Sequence, residues 1–278
     1  MKLIITDLDG TLLDHNTYSF DAAHGALERI KDLSVPLILC SSKTEGEIIL
    51  YCEKLGMKLP FISENGGGIY LPNGFLSQAI EEPLQYASRN KEYLLMEMGT
   101  GRDELYGAFL HVRELTGIEM RSFSDMTLDE IVRLTSLPQK EARLAMERKF
   151  TEPFLFSSND EVSIREVIKA FKKRGLTVVK GGRFYHLMGD INKGRAVKKI
   201  KDIFSEIARD EIIAMGLGDS ENDISMLNAV ERPVIVRKWD GSWMQAEGTE
   251  GFERTKGIGP VGWNEAVLNF LNGNYLSV

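Results

Sequence analysis

The sequence of 278 residues predicts an α/β protein with a doubly wound parallel sheet and a second, inserted domain. Two observations support this fold class. Short apolar runs alternate with amphipathic helical patterns at both ends of the chain, which is the order of a parallel sheet covered by helices. Between them the pattern changes, because helices come first and short strands follow. We therefore expect a core of residues 1–82 and 189–278, and an inserted α+β cap of residues 83–188.

Composition narrows the class of protein. With 43% apolar and 27% charged residues, the chain is typical of a globular protein. No run approaches the ~20 consecutive apolar residues of a membrane span. We expect no signal peptide, because the first residues read as an apolar strand. We expect no membrane partner and a cytoplasmic location. The net charge of −7 argues against general nucleic-acid binding, and Cys40 and Cys52 lack the spacing of metal ligands or of a disulfide framework.

The first apolar run ends in two carboxylates. Residues 3–5 are predicted as a buried strand, and Asp7 and Asp9 project to the same side where that strand ends. Gly10 then allows the chain to turn away. Two like charges so placed repel one another unless a cation or a proton lies between them. The pair indicates a catalytic or metal site, although a bare D-x-D is also typical of a solvated acidic turn.

A second predicted strand, residues 36–40, also ends in polar residues. These are Ser41, Ser42 and Lys43. Thr44 and Glu47 then form a capping box, which predicts a helix up to about residue 55. Hydroxyl and main-chain N–H groups at a helix N-terminus can bind an anion, although a simple helix cap explains the same residues. The strand end shares a sheet edge with Asp7 and Asp9, where open α/β sheets bind ligands.

The other core elements follow from similar patterns. A third strand is predicted over residues 60–63 and a glycine-rich hairpin over 64–72. After the cap come strands at 212–217 and 233–236 and a closing helix at 264–271.

The cap is predicted to consist of helices followed by strands. The helices span residues 103–116, 127–137, 139–149 and 161–174, and the strands span 153–156, 177–179 and 184–187. Arg183 and His186 lie in the segment G-G-R-F-Y-H, whose glycines permit a close approach of the backbone. One or both side chains can therefore face the core, although ordinary polar residues of an edge strand fit the same pattern.

Lys193 and two further aspartates complete the candidates. Lys193 stands at the start of a helix, where the dipole disfavours a cation, so either it faces an anion or it is a surface lysine. Asp219 follows the strand 212–217 and is the third carboxylate at a strand end. Asp223 can join it or complete a capping box with Ser220. Oxygen groups that converge on one edge suit a hard cation that keeps water ligands, and we expect Mg²⁺.

Four of these segments resemble, in order, the motifs of the haloacid dehalogenase-like superfamily. They are D-L-D-G-T, S-S-K-T, Lys193 and G-D-S-E-N-D. The cap lies between the second and third motifs, as in the Cof-like sugar phosphatases, which have a Rossmann-like core and a C2-type cap. More narrowly, the chain resembles the mannosyl-3-phosphoglycerate phosphatases in stretches such as P-F-I-S-E-N-G-G-G-I-Y, S-F-S-D-M-T-L-D-E-I and G-G-R-F-Y-H-L-M-G. It departs from them at T-S-L, residues 135–137, where the family tends to have T-G-L.

The resemblance implies a Mg²⁺-dependent phosphatase that converts mannosyl-3-phosphoglycerate, a phosphorylated sugar, to mannosylglycerate and phosphate through an aspartyl-phosphate. Asp7 would be the nucleophile and Asp9 the general acid and base, with Lys193 as the third catalytic residue. The implied metal ligands are Asp7, Asp9, Asp219 and Asp223. The implied substrate-binding residues are Ser41, Ser42, Lys43, Arg148, Arg183 and His186.

Three alternatives remain open. The chain can act on glucosyl-3-phosphoglycerate or another phosphosugar, since the two glycosyl substrates differ in the stereochemistry of one hydroxyl. A phosphomutase can use the same core. A catalytically silent sugar-phosphate sensor is the third, although a pure binder needs no nucleophile–acid pair. The sequence does not indicate an oligomeric state.

Overall fold

The computed structural model describes residues 1–75, 88–89, 92–181, 183–208, 211–274 and 276. Within these ranges the large sheet contains β1 (Lys2–Thr6), β2 (Leu37–Cys40), β3 (Phe61–Ser63), β4 (Gly68–Pro72), β5 (Ser88–Arg89), β6 (Tyr93–Glu97), β11 (Ile213–Gly218), β12 (Arg232–Arg237) and β13 (Glu253–Ile258). The small sheet contains β7 (Met120–Ser122), β8 (Thr151–Phe156), β9 (Thr177–Lys180) and β10 (Tyr185–Met188). The helices are α1 (His24–Leu33), α2 (Glu45–Lys54), α3 (Arg102–Thr116), α4 (Leu128–Thr135), α5 (Gln139–Met146), α6 (Glu161–Lys172), α7 (Lys193–Ala208), α8 (Ile224–Leu227) and α9 (Gly259–Leu271).

The large sheet has the strand order β13-β12-β11-β1-β2-β3-β4-β6-β5. Strand β1 lies near its centre and pairs in parallel with β11 and β2, so that Ile5 stands opposite Gly216 and Ile38. Strands β12, β13 and β3 continue the parallel pairing, and β4 then turns back antiparallel to β3. The predicted parallel α/β core and the hairpin after β3 are confirmed.

Helices cover both faces of this sheet. Successive residues of its strands point to opposite faces, and each face packs against helices in its own hydrophobic cluster. Ile4 packs in the cluster that holds Leu27 of α1 and Phe270 of α9. Its neighbour Ile5 packs in the opposite cluster, which holds Val197 of α7. A central strand buried on both faces is the pattern expected of a doubly wound sheet.

The cap, formed by β7–β10 and α3–α6, is a four-stranded antiparallel sheet in the order β7-β8-β10-β9 with helices on both faces. Phe154 of β8 packs with Phe109 of α3 and Phe171 of α6. The next residue, Leu155, packs against the other cluster, which contains residues of α4 and α5. This α+β arrangement agrees with the predicted fold class.

Strands β5 and β6 differ from the prediction. The predicted cap begins at residue 83, whereas β6 pairs with β4 in the large sheet. The buried residues Tyr93 to Met96 form a strand that adds one more antiparallel pairing to the hairpin. The change in the sequence from the alternation of strands and helices to mainly helical patterns therefore does not mark the end of the large sheet. The boundary between residues 82 and 83 lies outside the described residues, and the division at 188–189 stays a prediction.

Two further core elements differ from the prediction, which has no strand at β13 and begins the closing helix at residue 264. Strand β13 is mostly polar, and of its residues Thr255 is fully buried. Helix α9 begins at Gly259, five residues before the predicted start, with proline in its first turn.

None of the helices in the described ranges combines the length and the apolar character that a membrane span requires.

Candidate active site

Asp7 and Asp9 lie immediately beyond the carboxyl end of β1, and the chain turns there at Gly10. This glycine has φ +77°, a conformation that L side chains rarely adopt. A Cβ at this position would also lie 2.7 Å from Oδ2 of Asp219, which follows β11. The turn therefore brings the carboxylates of two neighbouring strands to one edge of the sheet, as predicted.

Lys193 lies at the centre of this cluster and is fully buried. Its ammonium donates hydrogen bonds to Oδ1 of Asp7 at 2.7 Å and to Oδ1 of Asp223 at 2.6 Å. Burial alone would lower the pKa of Lys193, but the carboxylates of Asp223 and Asp7 raise it above its ordinary value. Lys193 therefore faces anions and is not a surface lysine.

The cluster holds more negative than positive charge. Burial, followed by repulsion from Asp223, raises the pKa of Asp7 well above its usual range, although Lys193 acts in the opposite direction. Burial and Asp223 likewise raise the pKa of Asp219 to about 7. Carboxylate oxygens of Asp7, Asp219 and Asp223 all lie within 4.8 Å of one another. Such a set of oxygen donors fits a hard divalent cation.

Asp223 has two structural roles within this cluster. Its Oδ2 accepts hydrogen bonds from the main-chain N–H groups of Asp219, at 3.2 Å, and Ser220, at 3.1 Å. The capping box with Ser220 is therefore formed. Because Oδ1 is bonded to Lys193, both oxygens of Asp223 already have protein donors. The side chain holds the Asp219 loop and the lysine together.

The end of β2 adds Ser41 and Lys43. Ser41 is buried, and its hydroxyl accepts a hydrogen bond from the main-chain N–H of Lys43 at 3.2 Å. The Lys43 ammonium lies 2.9 Å from Oδ2 of Asp9, and the rings of Tyr18 and Tyr51 lie 5.4 and 5.7 Å from it. Lys43, predicted to bind substrate, is therefore paired here with Asp9. The other oxygen of Asp9, Oδ1, is buried without a hydrogen-bond partner in the described structure.

The predicted capping box at α2 is present. Thr44 Oγ1 accepts from the N–H of Glu47 at 3.3 Å, and the Glu47 carboxylate accepts from the N–H of Thr44 at 2.9 Å. The same threonine hydroxyl donates to the main-chain oxygen of Leu144 in the cap at 3.0 Å. The N-terminus of α2 is therefore also a contact between core and cap.

Of the three predicted cap residues, Arg148 lies at this contact, and His186 is close enough to Arg148 for an electrostatic interaction. Arg148 donates from Nη1 to the main-chain oxygen of Ser42 at 3.1 Å, which connects it to the loop after β2. Its Nε and the Nδ1 of His186 are buried, and neither has a hydrogen-bond partner among the described residues. Burial and the positive charge of Arg148 lower the pKa of His186 to about 3, so His186 is neutral. Arg183 is exposed in the turn between β9 and β10.

Sequence reasoning missed Glu64, Asn65 and Thr151. Glu64 and Asn65 follow β3 with φ values of +48° and +57°, and both are buried. Asn65 accepts a hydrogen bond from Asn222 at 3.3 Å, whereas Glu64 contacts the cap. A buried charge cannot be recognised from a turn sequence, because glutamate in a glycine-rich turn is ordinarily solvated. The only signal for Glu64 and Asn65 was that they stand in P-F-I-S-E-N-G-G-G-I-Y, a stretch that resembles the family.

The comparison with protein families decides the classification. Residues 4–240 match the family model of the haloacid dehalogenase-like hydrolases. The chain belongs to this family. Each of the four segments that resemble the family motifs contributes one residue to the same edge of the sheet. These residues are Asp7, Ser41, Lys193 and Asp219.

Similar proteins are known from several organisms. A protein of Methanococcoides burtonii named glucosyl-3-phosphoglycerate/mannosyl-3-phosphoglycerate phosphatase is 38% identical over 272 residues, which cover 98% of each chain. The mannosyl-3-phosphoglycerate phosphatase of Pyrococcus furiosus is 32% identical, with 85% of this chain and 91% of that protein covered. The crystal structure of the Thermoplasma acidophilum protein 0175 superposes with a TM-score of 0.67 at 17% identity and covers 98% of both chains. At this level of identity the likeness shows the fold alone.

Proposed function

We propose that this chain is a phosphatase that hydrolyses mannosyl-3-phosphoglycerate to mannosylglycerate and inorganic phosphate. The observation that carries the chemistry is the buried lysine between two carboxylates, Asp7–Lys193–Asp223, at the carboxyl edge of the sheet. Support for the substrate comes from relatives that are named for it, one of them similar over nearly the whole length.

Asp7 is the nucleophile in this proposal. One carboxylate oxygen attacks phosphorus, the bond from phosphorus to the glycerate oxygen breaks, and an aspartyl-phosphate forms. Lys193 holds Oδ1 of Asp7 at 2.7 Å, which fixes the direction of the other oxygen. The lysine also offsets the negative charge that gathers when a phosphate monoester enters a cluster of carboxylates.

Asp9 transfers the proton in both steps. It protonates the leaving glycerate oxygen in the first step, and in the second it takes a proton from the water that attacks the aspartyl-phosphate. Phosphate leaves and Asp7 is regenerated, so one water is consumed for each ester bond broken. The Asp9 side chain is 40% exposed, which gives it access to a leaving group between core and cap.

The acidic cluster fits Mg²⁺, and we propose Asp7, the main-chain oxygen of Asp9 and Asp219 as its ligands. Asp223 would support the site, because both of its oxygens are held by protein donors. When bound, the cation would neutralise charge on the phosphoryl oxygens. Burial and the charge of Asp223 raise the pKa of Asp219 to about 7, and a cation bound at its carboxylate would offset both effects.

Substrate recognition is assigned to residues of the loop after β2 and of the cap. Ser41 would bind the phosphoryl group together with Lys193, since hydroxyl and ammonium donors suit its oxygens. Ser42, Lys43, Arg148 and His186 would contact the glycerate carboxylate and the sugar. Arg148 and His186 support this assignment with polar atoms that are buried and lack protein partners in the described ranges. Arg183 would reach the substrate only from its exposed turn.

A second substrate, glucosyl-3-phosphoglycerate, is favoured by the name of the Methanococcoides burtonii relative, which includes both sugars. The two substrates share the phosphate and the carboxylate, so the same charged residues would bind either. Discrimination would depend on contacts with a single sugar hydroxyl, for which buried polar partners can give large selectivity.

The experiment is a phosphate-release assay with both glycosyl-phosphoglycerates, 3-phosphoglycerate, mannose 6-phosphate and p-nitrophenyl phosphate. We expect the highest kcat/KM for a glycosyl-3-phosphoglycerate and stoichiometric release of phosphate. Return of the phosphoryl group to a second hydroxyl would identify a phosphomutase, and binding without turnover would identify a sensor. A higher kcat/KM for mannose 6-phosphate would overturn the proposed substrate.

A further inference from the structure

Glu64 is a buried carboxylate of the core that accepts hydrogen bonds from the cap. It is 1% exposed. Its Oε1 accepts from the main-chain N–H of Lys149 at 2.8 Å, and its Oε2 accepts from the N–H of Phe150 at 3.1 Å and from Oγ1 of Thr151 at 2.6 Å. Burial of a carboxylate costs free energy unless its oxygens accept hydrogen bonds. All three donors to Glu64 belong to the cap, so these bonds exist only while the cap lies against the core.

The main chain of the same turn is tied to the proposed phosphate-binding loop. The N–H of Glu64 donates to the main-chain oxygen of Lys43, and the N–H of Asn65 donates to that of Ser41, both at 3.0 Å. Glu64 and Asn65 have left-handed conformations without being glycine, at φ +48° and +57°. Such conformations persist where the surroundings hold them in place. The turn that contains Glu64 is therefore joined to the loop after β2 by two main-chain hydrogen bonds.

Thr151 connects Glu64 to Arg148. A threonine hydroxyl has one hydrogen to donate, and here it donates to Glu64. The same oxygen accepts from Nη1 of Arg148 at 3.0 Å, and this Nη1 also donates to the main-chain oxygen of Ser42. The hydrogen bonds thus run from the core through the cap threonine and back to the core. They fix the plane of the guanidinium while its buried Nε keeps no protein partner in the described structure.

We propose that Glu64 and Thr151 are positioning residues that hold Arg148 against the substrate and keep the cap closed. This inference rests on the proposed function insofar as Arg148 is assigned to the substrate carboxylate. Opening of the cap would break all three bonds to Glu64 and release Arg148 from Ser42. The correct orientation of Arg148 and the closed state therefore depend on the same carboxylate.

A mutant cycle tests the connection to Arg148. We expect Thr151→Val to raise KM for mannosyl-3-phosphoglycerate about tenfold, as loss of one charge-assisted hydrogen bond would, with little change in kcat. Thr151→Ser keeps the hydroxyl and should restore KM to within about twofold of wild type. In an Arg148→Met background, Thr151→Val should raise KM less than it does in the wild type, because the group that it orients is gone and only its contribution to cap closure is left. Fully additive effects of the two substitutions would overturn the proposal.

A distance measurement tests cap closure without any substrate. Spin labels at Glu28→Cys in α1 and Glu166→Cys in α6 report the separation of core and cap, because both positions are exposed and the native Cys40 and Cys52 are buried. We expect Glu64→Gln and Thr151→Val to shift the distribution toward longer distances. Lys149→Gln is the matched control. It removes the ion pair between the side chains of Lys149 and Glu45, but it leaves the main-chain N–H of residue 149, which donates to Glu64.

The outcomes are separable. An unchanged distance distribution in both Glu64→Gln and Thr151→Val would overturn the closure role, and if Glu64→Gln does not fold, Thr151→Val decides it. Failure of the wild type to hydrolyse any glycosyl-3-phosphoglycerate would contradict the proposed function. The distance measurement would then still test the closure role of Glu64 and Thr151, because it needs no substrate.

Discussion

The ammonium of Lys193 lies 2.7 Å from Oδ1 of Asp7, although 186 residues separate them in the chain. Asp7 directly follows the central strand β1, and Lys193 begins helix α7, the first helix after the last strand of the cap. The return of the chain from the cap therefore places a fully buried cation beside the proposed nucleophile. The charge and the orientation of that nucleophile depend on this pair.

Asp7→Asn should abolish turnover and leave the fold intact, because the amide has nearly the same shape but is not nucleophilic. We expect a loss of more than about a hundredfold in kcat for p-nitrophenyl phosphate and for mannosyl-3-phosphoglycerate. Asp202→Asn, an exposed carboxylate on α7, is the control and should retain full activity. Residual activity of Asp7→Asn above about one hundredth of wild type would contradict the nucleophile assignment.

Lys193→Met should reduce both activity and stability, since Asp7 and Asp223 would lose the buried cation between them. Removal of one partner of a buried ion pair typically costs about 3–5 kcal/mol, which urea unfolding at pH 7 would measure. The double variant Lys193→Met/Asp223→Asn should regain at least about 1 kcal/mol of stability without regaining activity, because one unpaired carboxylate is removed. Equal stability of the single and double variants would show that charge repulsion is not the cause.

Chelation with EDTA should silence the enzyme, and Mg²⁺ should restore it, because the acidic cluster carries uncompensated negative charge. Binding to the folded state also raises stability, by about 2.7 kcal/mol at a concentration one hundred times Kd. We therefore expect Mg²⁺ to raise the Tm of the wild type but not that of Asp219→Asn. Activity that is indifferent to chelation, or an equal rise in Tm for both proteins, would refute the metal site.

Acid should destabilise the protein partly through His186. Burial and Arg148 lower the pKa of His186 to about 3 in the folded state, whereas an unfolded histidine has a pKa of about 6.5. Between these values the unfolded chain binds more protons, so the contribution to stability is present above pH ~6.5 and is lost as the pH falls.

Urea unfolding at pH 7.5 and pH 5 of wild type and His186→Gln measures this contribution. We expect wild type to lose about 1–2 kcal/mol more than the variant over this range, because the variant cannot take up the proton. Parallel losses in the two proteins would show that His186 is not buried in its neutral form.

Much of the core could be predicted because its signals are local. Apolar runs locate the strands β1, β2, β3 and β11, and each ends where the residue type changes abruptly to aspartate or serine. The polar strand β13 could not be predicted in the same way, because an edge strand needs no continuous apolar run. Strand β6 does contain an apolar run, but nothing local indicates that it pairs with β4 of the large sheet.

The sequence by itself determined the α/β order and the acidic strand ends, since both depend on local chemistry and on the geometry of parallel strands. It also identified the residues expected at this site, because the family motifs that contain them are visible in the sequence. Only the tertiary structure decided their partners: Lys43 with Asp9, Asp223 with Lys193, and Glu64 with the cap. The physical reason is that burial and charge pairing are properties of distant segments in contact. A glutamate in a glycine-rich turn looks solvated until the cap removes it from water.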